Sequence, residues 1–220
     1  MTFRARPFTL LALLGLVPAA HAQYYDYGTP ENRPVQWYVM GGFSQPVGQT
    51  NSILQGGYDV GFGVAFRQPG NPLALRLEVN YANNNATHAL IDQGQQDTGL
   101  QITRGWAETW SLTANGEYRV HLGPGVYGYV MGGVGAYYTQ ISLTEFGNGY
   151  VCNPWWGYCY FASGDLIVAQ HDVSKFGWNA GLGVTFRLRG TPTMFVEARY
   201  TEIEMPQKFQ YVPITVGLRF

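Results

Sequence analysis

Histidine, cysteine and a thin scatter of carboxylates are the residues with which this chain could do chemistry. His171-Asp172 with Ser174 beside it holds the residue types of a nucleophilic triad. A triad needs its base within hydrogen-bond reach of the nucleophile and a third group orienting the base. Adjacent strand residues point to opposite faces, so three near-consecutive residues are poor triad material. His88 and His121 have no such neighbours and read as polar loop and turn residues. Gly61-Phe62-Gly63 and Gly181-Leu182-Gly183 echo nucleotide-binding glycines, but neither opens a helix or completes the motif. Cys152 and Cys159 match neither Cys-x-x-Cys redox spacing nor a zinc pattern. No catalytic residue, cofactor or metal is assigned.

The cysteines point instead to a compartment. Arg4 and Arg6, the apolar run from Phe8 to Val17 and the small residues Ala20-His21-Ala22 compose a secretory signal, with cleavage expected after Ala22. The run is too short for a helical membrane span, which takes about 20 apolar residues. Residues 23–34, rich in Tyr, Asp, Asn and Pro, read as a flexible periplasmic leader, and 35–220 as one domain. In an oxidising compartment Cys152 and Cys159 are expected to bridge. The bridge would present Trp155, Trp156, Tyr158, Tyr160 and Phe161 as an aromatic contact surface at a loop tip.

Composition narrows the class further. Only 12% of the residues are charged, while there are 29 glycines and 16 tyrosines, an odd mixture for a soluble enzyme. Cleavage leaves 11 Lys+Arg against 14 Asp+Glu, a formal charge of −3 with no basic patch for nucleic acid.

The elements that must carry these residues have a period of two. Tyr58, Val60, Phe62, Val64 and Phe66 alternate with Asp59, Gly61, Gly63, Ala65 and Arg67. After the turn Gln68 to Pro72, the run Leu73 to Tyr81 alternates with Arg76, Glu78 and Asn80. Segments from Gln36, Trp106, Val126, Phe176, Met194 and Val212 complete a set of eight strands. Tight turns alternate with long connections at about Gln45 to Gln55, Ala82 to Arg104, Thr139 to Asp172 and Glu202 to Gln210.

Lengths of 9–11 residues suit tilted bilayer crossings, and an even count lets the sheet close without an edge in lipid. The expected fold is all-β: a closed eight-stranded antiparallel up-and-down transmembrane β-barrel. Its sparse face carries Asp59, Arg67, Arg76, Glu78, Glu117, Arg119, Lys175, Arg187, Glu197, Arg199 and Arg219, too few charges for a solvent coat. They are expected in the lumen as an ion-pair network, because an isolated buried ion costs several kcal/mol. Tyr58, Tyr81, Trp106, Tyr138, Trp178 and Tyr200 should ring the loop end, and Phe66, Tyr118, Phe186 and Phe220 the turn end.

Phe195-Val196-Glu197-Ala198-Arg199-Tyr200, the closing Pro213 to Phe220, and Tyr129-Val130-Met131-Gly132-Gly133-Val134-Gly135 together resemble the small eight-stranded outer-membrane barrels related to outer membrane protein A and the opacity-type proteins. The resemblance implies residence in the bacterial outer membrane, contact with its lipid and lipopolysaccharide, and an assembly signal in Leu218 and Phe220 read by the barrel-assembly machinery. Thr215 stands where that signal usually has glycine, with Gly217 displaced. The expected role is structural or surface-interacting, with adhesion or envelope integrity carried by loops that meet a receptor or polymer. The alternatives are a small porin-like channel and, third, a lipid-modifying outer-membrane enzyme.

Overall fold

In the computed structural model, residues 33–99, 101–153, 158–187, 192–205 and 208–220 are described. The expected signal and most of the leader therefore lie outside them. Eight strands run in chain order: β1 (Val35–Pro46), β2 (Leu54–Arg67), β3 (Leu73–Ala86), β4 (Ile102–Gly123), β5 (Val126–Asn153), β6 (Tyr158–Arg187), β7 (Thr193–Ile203) and β8 (Phe209–Arg219). Each pairs antiparallel with its successor, and β1 pairs with β8, closing the barrel. Pairing of β7 with β8 runs from Thr193↔Arg219 to Ala198↔Ile214 and resumes at Thr201↔Tyr211. Pro213, which has no N–H to donate, sits in the gap.

Alternation sets which side chains face in. On β3, Arg76 and Glu78 are buried while Leu75, Leu77 and Val79 are exposed. Along β8, Thr215 and Arg219 are buried and Ile214, Val216 and Leu218 exposed. The charges are thus inside and the large apolar residues outside, the reverse of a water-soluble protein. Tight turns close one end, with Gly70 (φ 77°) and Gly125 (φ 72°) supplying left-handed backbone.

Aromatic side chains mark two heights on the outer surface. At the loop end Tyr81 and Trp110 lie 4.9 Å apart, Tyr58 and Tyr81 6.0 Å, and Trp178 and Tyr200 5.4 Å, centroid to centroid. At the turn end Phe220 stacks on Trp37 at 4.2 Å. On β3 the stretch from Leu73, which pairs with Tyr118, to Tyr81 has the length of about 9 residues that a tilted bilayer-crossing strand needs.

Two connections depart from the sequence reading. The described residues of the segment from Thr139 to Asp172, expected to be a loop, are strand: β5 and β6 stay paired from Val126↔Phe186 to Asn153↔Tyr158. Its last rung on β4 is Ile102↔Glu145, and β7 ends at Gly177↔Ile203. The hairpin therefore runs on by about 25 Å beyond its last β4 partner, at ~3.3 Å per residue. The connection expected from Ala82 to Arg104 contains a helix, α1 (His88–Thr98). The Thr87 side chain accepts from Leu90 N–H at its start, and Gly99 ends it in the left-handed conformation (φ 71°).

Candidate functional site: lumen cluster and projecting hairpin

The lumen is built around Arg76, which is fully buried. Its Nη1 donates to Glu197 Oε2 at 2.7 Å and Glu117 Oε2 at 3.2 Å, and its Nη2 lies 2.6 Å from Glu78 Oε1. Arg199 joins the same two strands from the other side, with Nη1 2.5 Å from Glu78 Oε2 and Nη2 2.5 Å from Glu197 Oε1. Glu117, one layer toward the turns, pairs with Arg67, with Arg219 at 3.1 Å and with Arg119 at 3.2 Å. Each of these three glutamates thus meets at least two guanidinium groups. Breaking such a buried set is expensive, because removing one partner leaves an uncompensated charge.

Rings complete the layer. Tyr38 Oη donates to Glu78 at 2.6 Å and accepts from Arg76 Nε at 2.9 Å; Tyr129 Oη donates to Glu197 at 2.8 Å. The Arg76 guanidinium lies 4.7 Å from the Tyr38 ring centroid, and Arg219 lies 5.3 Å from it and 5.4 Å from that of Phe195. The two tyrosines need glycine beside them. A Cβ on Gly63 would overlap the Tyr38 ring, and one on Gly183 the Tyr129 ring. Glycine on this face makes room for rings as well as for arginine.

Little space is left beside the ionic layer on its loop side. A cavity bounded by Asp59, Asn80, Thr113, Tyr137 and Arg199 measures only ≈ 10 Å³, room for about one water. At the loop end, Leu54, Tyr137, Ile203, Phe209 and Tyr211 form an apolar cluster, with Leu90 of α1 packed against it. Gln95 Nε2 of α1 donates to Ile102 O at 2.8 Å, fixing the helix to β4. The lumen is filled at two heights, by ions below and by hydrocarbon above.

The expected lumen charges fall into two groups. Asp59, Arg67, Arg76, Glu78, Glu117, Arg119, Glu197, Arg199 and Arg219 are buried in the barrel. Lys175 and Arg187 are not and must be corrected: both are exposed. Lys175 keeps inward register, opposite buried Tyr137, but stands where β6 has outrun β7. Arg187 is the last residue of β6 at the turn end, where the lumen opens.

The hairpin carries the remaining candidates. Its register sets the Cα atoms of Cys152 and Cys159 directly opposite each other, one rung from Asn153↔Tyr158. Trp155 and Trp156 lie outside the described residues, and Tyr158, Tyr160 and Phe161 are described in their backbone alone. His171, Asp172 and Ser174 are exposed, pairing with Ile141, Gln140 and Tyr138; alternation puts His171 on the face opposite Asp172 and Ser174. At the mouth, Lys208 Nζ donates to Glu202 at 2.8 Å, which raises the ammonium pKa above its ordinary value. Leu218 faces outward, and Phe220 N–H donates to Trp37 O at 2.8 Å.

The role of Tyr38 and Tyr129 and the apolar closure by Leu54 and Leu90 escaped the sequence reading. Parity was the available signal for Tyr38, since Gln36, Tyr38 and Met40 alternate with outward Trp37 and Val39. For Leu54 and Leu90 there was none, because contacts between two connections and a rim depend on closure of the barrel.

The outer membrane protein beta-barrel domain model matches residues 9–220. No curated protein matches the chain. Among solved structures it is similar to Neisserial surface protein A, at 11% identity and a TM-score of 0.52 over 85% of this chain and 96% of that one. It is also similar to a major outer membrane protein from Thermus thermophilus, at 14% identity and a TM-score of 0.48 over 86% and 99%. A third is Ail, the attachment invasion locus protein of Yersinia pestis, solved with the heparin analogue sucrose octasulfate, at 13% identity and a TM-score of 0.45 over 86% and 100%. The likeness to Neisserial surface protein A is one of fold.

Proposed function

Because the chain belongs to the outer membrane protein beta-barrel domain family, we propose that its barrel is a structural and surface-interaction element of the bacterial outer membrane, in which contact is made by the β5–β6 hairpin. The observation that carries this reading is a pair of facts about one axis. The hairpin continues about 25 Å past its last β4 rung, at ~3.3 Å per residue, while the lumen below it is filled.

In this reading the tight turns and the C-terminus lie in the periplasm, and the hairpin, α1 and the mouth face the exterior. The signal ends after Ala22, and residues 23–34 are a periplasmic leader. Cys152 and Cys159 bridge the hairpin tip, and Trp155, Trp156, Tyr158, Tyr160 and Phe161 form its contact surface for a receptor or surface polymer. The outward rings at the loop end rest among lipopolysaccharide headgroups. Leu218 and Phe220 serve as the signal for the barrel-assembly machinery.

The channel reading has less support, because a solute would have to displace both the apolar closure and the Arg76 layer. A lipid-modifying activity has no assembled nucleophile and base among the described residues to recommend it. Planar-bilayer recording of the purified protein tests the choice. Silence at moderate voltage supports the structural role; stable unitary steps would replace it with the porin role. Lipid A profiles with and without the gene test the enzymatic reading, which a missing acyl chain would revive.

A further inference from the structure

The lumen charges are not evenly matched along its length. Arg76 and Arg199 sit between Glu78 and Glu197, two cations against two anions. Toward the turns Glu117 is the carboxylate that Arg67 and Arg219 share, and these two alone exceed its single charge. Arg67 and Arg219 are 6% and 3% exposed, and the Nε of each has no hydrogen-bond partner among the described residues. Both are thus buried cations held beyond the charge of the one carboxylate they share.

A pocket of ≈ 250 Å³ adjoins Arg67 at the turn end, far larger than one water, while Arg219 lies behind Arg67 on the shared Glu117 and outside the pocket's lining. Arg67, Asn71, Arg119, His121 and Tyr127 line it, with no carboxylate among its lining residues. Arg67 is held at its lip by Nη1 donating to the carbonyls of Asn71 (3.3 Å) and Pro72 (3.1 Å). His121 packs beside Tyr127 at 5.0 Å between centroids, and the Arg119 guanidinium lies 5.8 Å from the Tyr127 ring. Beside the backbone of the turn from Gly70 to Pro72, the wall offers guanidinium, imidazole and phenol groups, each able to donate a hydrogen bond, fixed on strands and one tight turn.

We propose that the turn-end mouth of the lumen is a binding site for a phosphate-type oxyanion, either inorganic phosphate or the esterified phosphate of a small headgroup. Its acceptor oxygens suit forked guanidinium donors, and its charge meets the local cationic surplus. A monocarboxylate offers fewer acceptors and less charge to the same donors.

The test uses the mature chain refolded in octyl glucoside, a detergent without phosphate. Calorimetric titrations at low salt take inorganic phosphate and phosphoethanolamine as probes, with acetate as the control anion. Phosphate should bind measurably, with affinity lowered at least about tenfold in Arg67→Gln, or 1.4 kcal/mol, and severalfold in His121→Ala. Arg67→Lys should recover part of the loss. Because Arg67→Gln could unfold the barrel, folding is checked by the heat-dependent gel shift, and rim variants His121→Ala and Tyr127→Phe carry the test independently. Binding of phosphoethanolamine as tight as that of phosphate assigns the site to headgroups; binding of phosphate alone assigns it to the free ion. No heat with either probe, equal binding of acetate, or unchanged affinity in Arg67→Gln, His121→Ala and Tyr127→Phe alike would overturn the proposal.

Discussion

Arg76 on β3 donates from Nη1 to Glu197 on β7 at 2.7 Å, and since β3 and β7 stand four strands apart either way around the closed barrel, this bond ties opposite walls. Arg76 also pairs with Glu78 and Glu117, so Arg76→Met would leave three buried carboxylates one cation short. The expected destabilisation is about 3–5 kcal/mol, the usual cost of breaking a buried pair from one side. Urea unfolding in lipid vesicles, followed by tryptophan fluorescence, measures it. An unchanged midpoint would mean that lumen water replaces the guanidinium.

Outside the barrel the decisive position is Leu182. It lies midway along β6 between Trp178 and Phe186, one ring at each expected interface, and it is 63% exposed. If hydrocarbon covers it, Leu182→Arg should cost about 2–4 kcal/mol, the range for arginine at the midplane of an outer-membrane barrel. On a water-facing surface the same change would be close to neutral. Comparison with Gln170→Arg, which adds the same charge at an exposed position of β6 beyond its last β7 rung, controls for charge alone.

These two sites also show what a sequence can and cannot carry. Leu182 and Arg76 were placed on opposite faces by alternation, since lipid on one side and a packed lumen on the other force every strand residue to choose. Past the rim that constraint ends. Beyond Glu145, where β5 loses its β4 partner, no lumen or lipid forces a choice of face, and the sequence of the hairpin there carries no clear period of two. Helix α1 was missed for a related reason: its polar face dominates, although Thr87 and Gly99 mark its ends. Lys175 and Arg187 kept their inward register, but register does not tell how far a neighbouring strand extends.

The rung Cys152↔Cys159 yields a local prediction. A bridge there would close a short ring and constrain the unfolded tip by about 2–3 kcal/mol. Since the tip lies beyond the last rungs of β4 and β7, the gain should appear as resistance to proteolysis of the hairpin, not as stability of the barrel. Cys152→Ser, or reduction, is expected to speed cleavage near residues 154–157 at least severalfold while leaving the urea midpoint in place. Identical cleavage with and without reductant would show the cysteines unbridged.

Closure of the lumen at two heights makes conductance a test that separates the layers. Leu54→Asn with Ile203→Asn should hydrate the mouth, because both side chains are fully buried in the apolar cluster that Leu90 packs against. It should not open a path, since Arg76, Glu78, Glu117 and Glu197 still fill the section below. Adding Arg76→Ala to that pair removes the central cation and leaves a cavity large enough for several waters among three carboxylates. Electrostatic focusing in such a narrow channel favours cations. The expected series in planar bilayers is therefore silence for the native chain and for the mouth variant, and small cation-selective steps for the triple variant. Steps in the mouth variant alone would show that the ionic layer is permeable and that the apolar cluster was the only barrier.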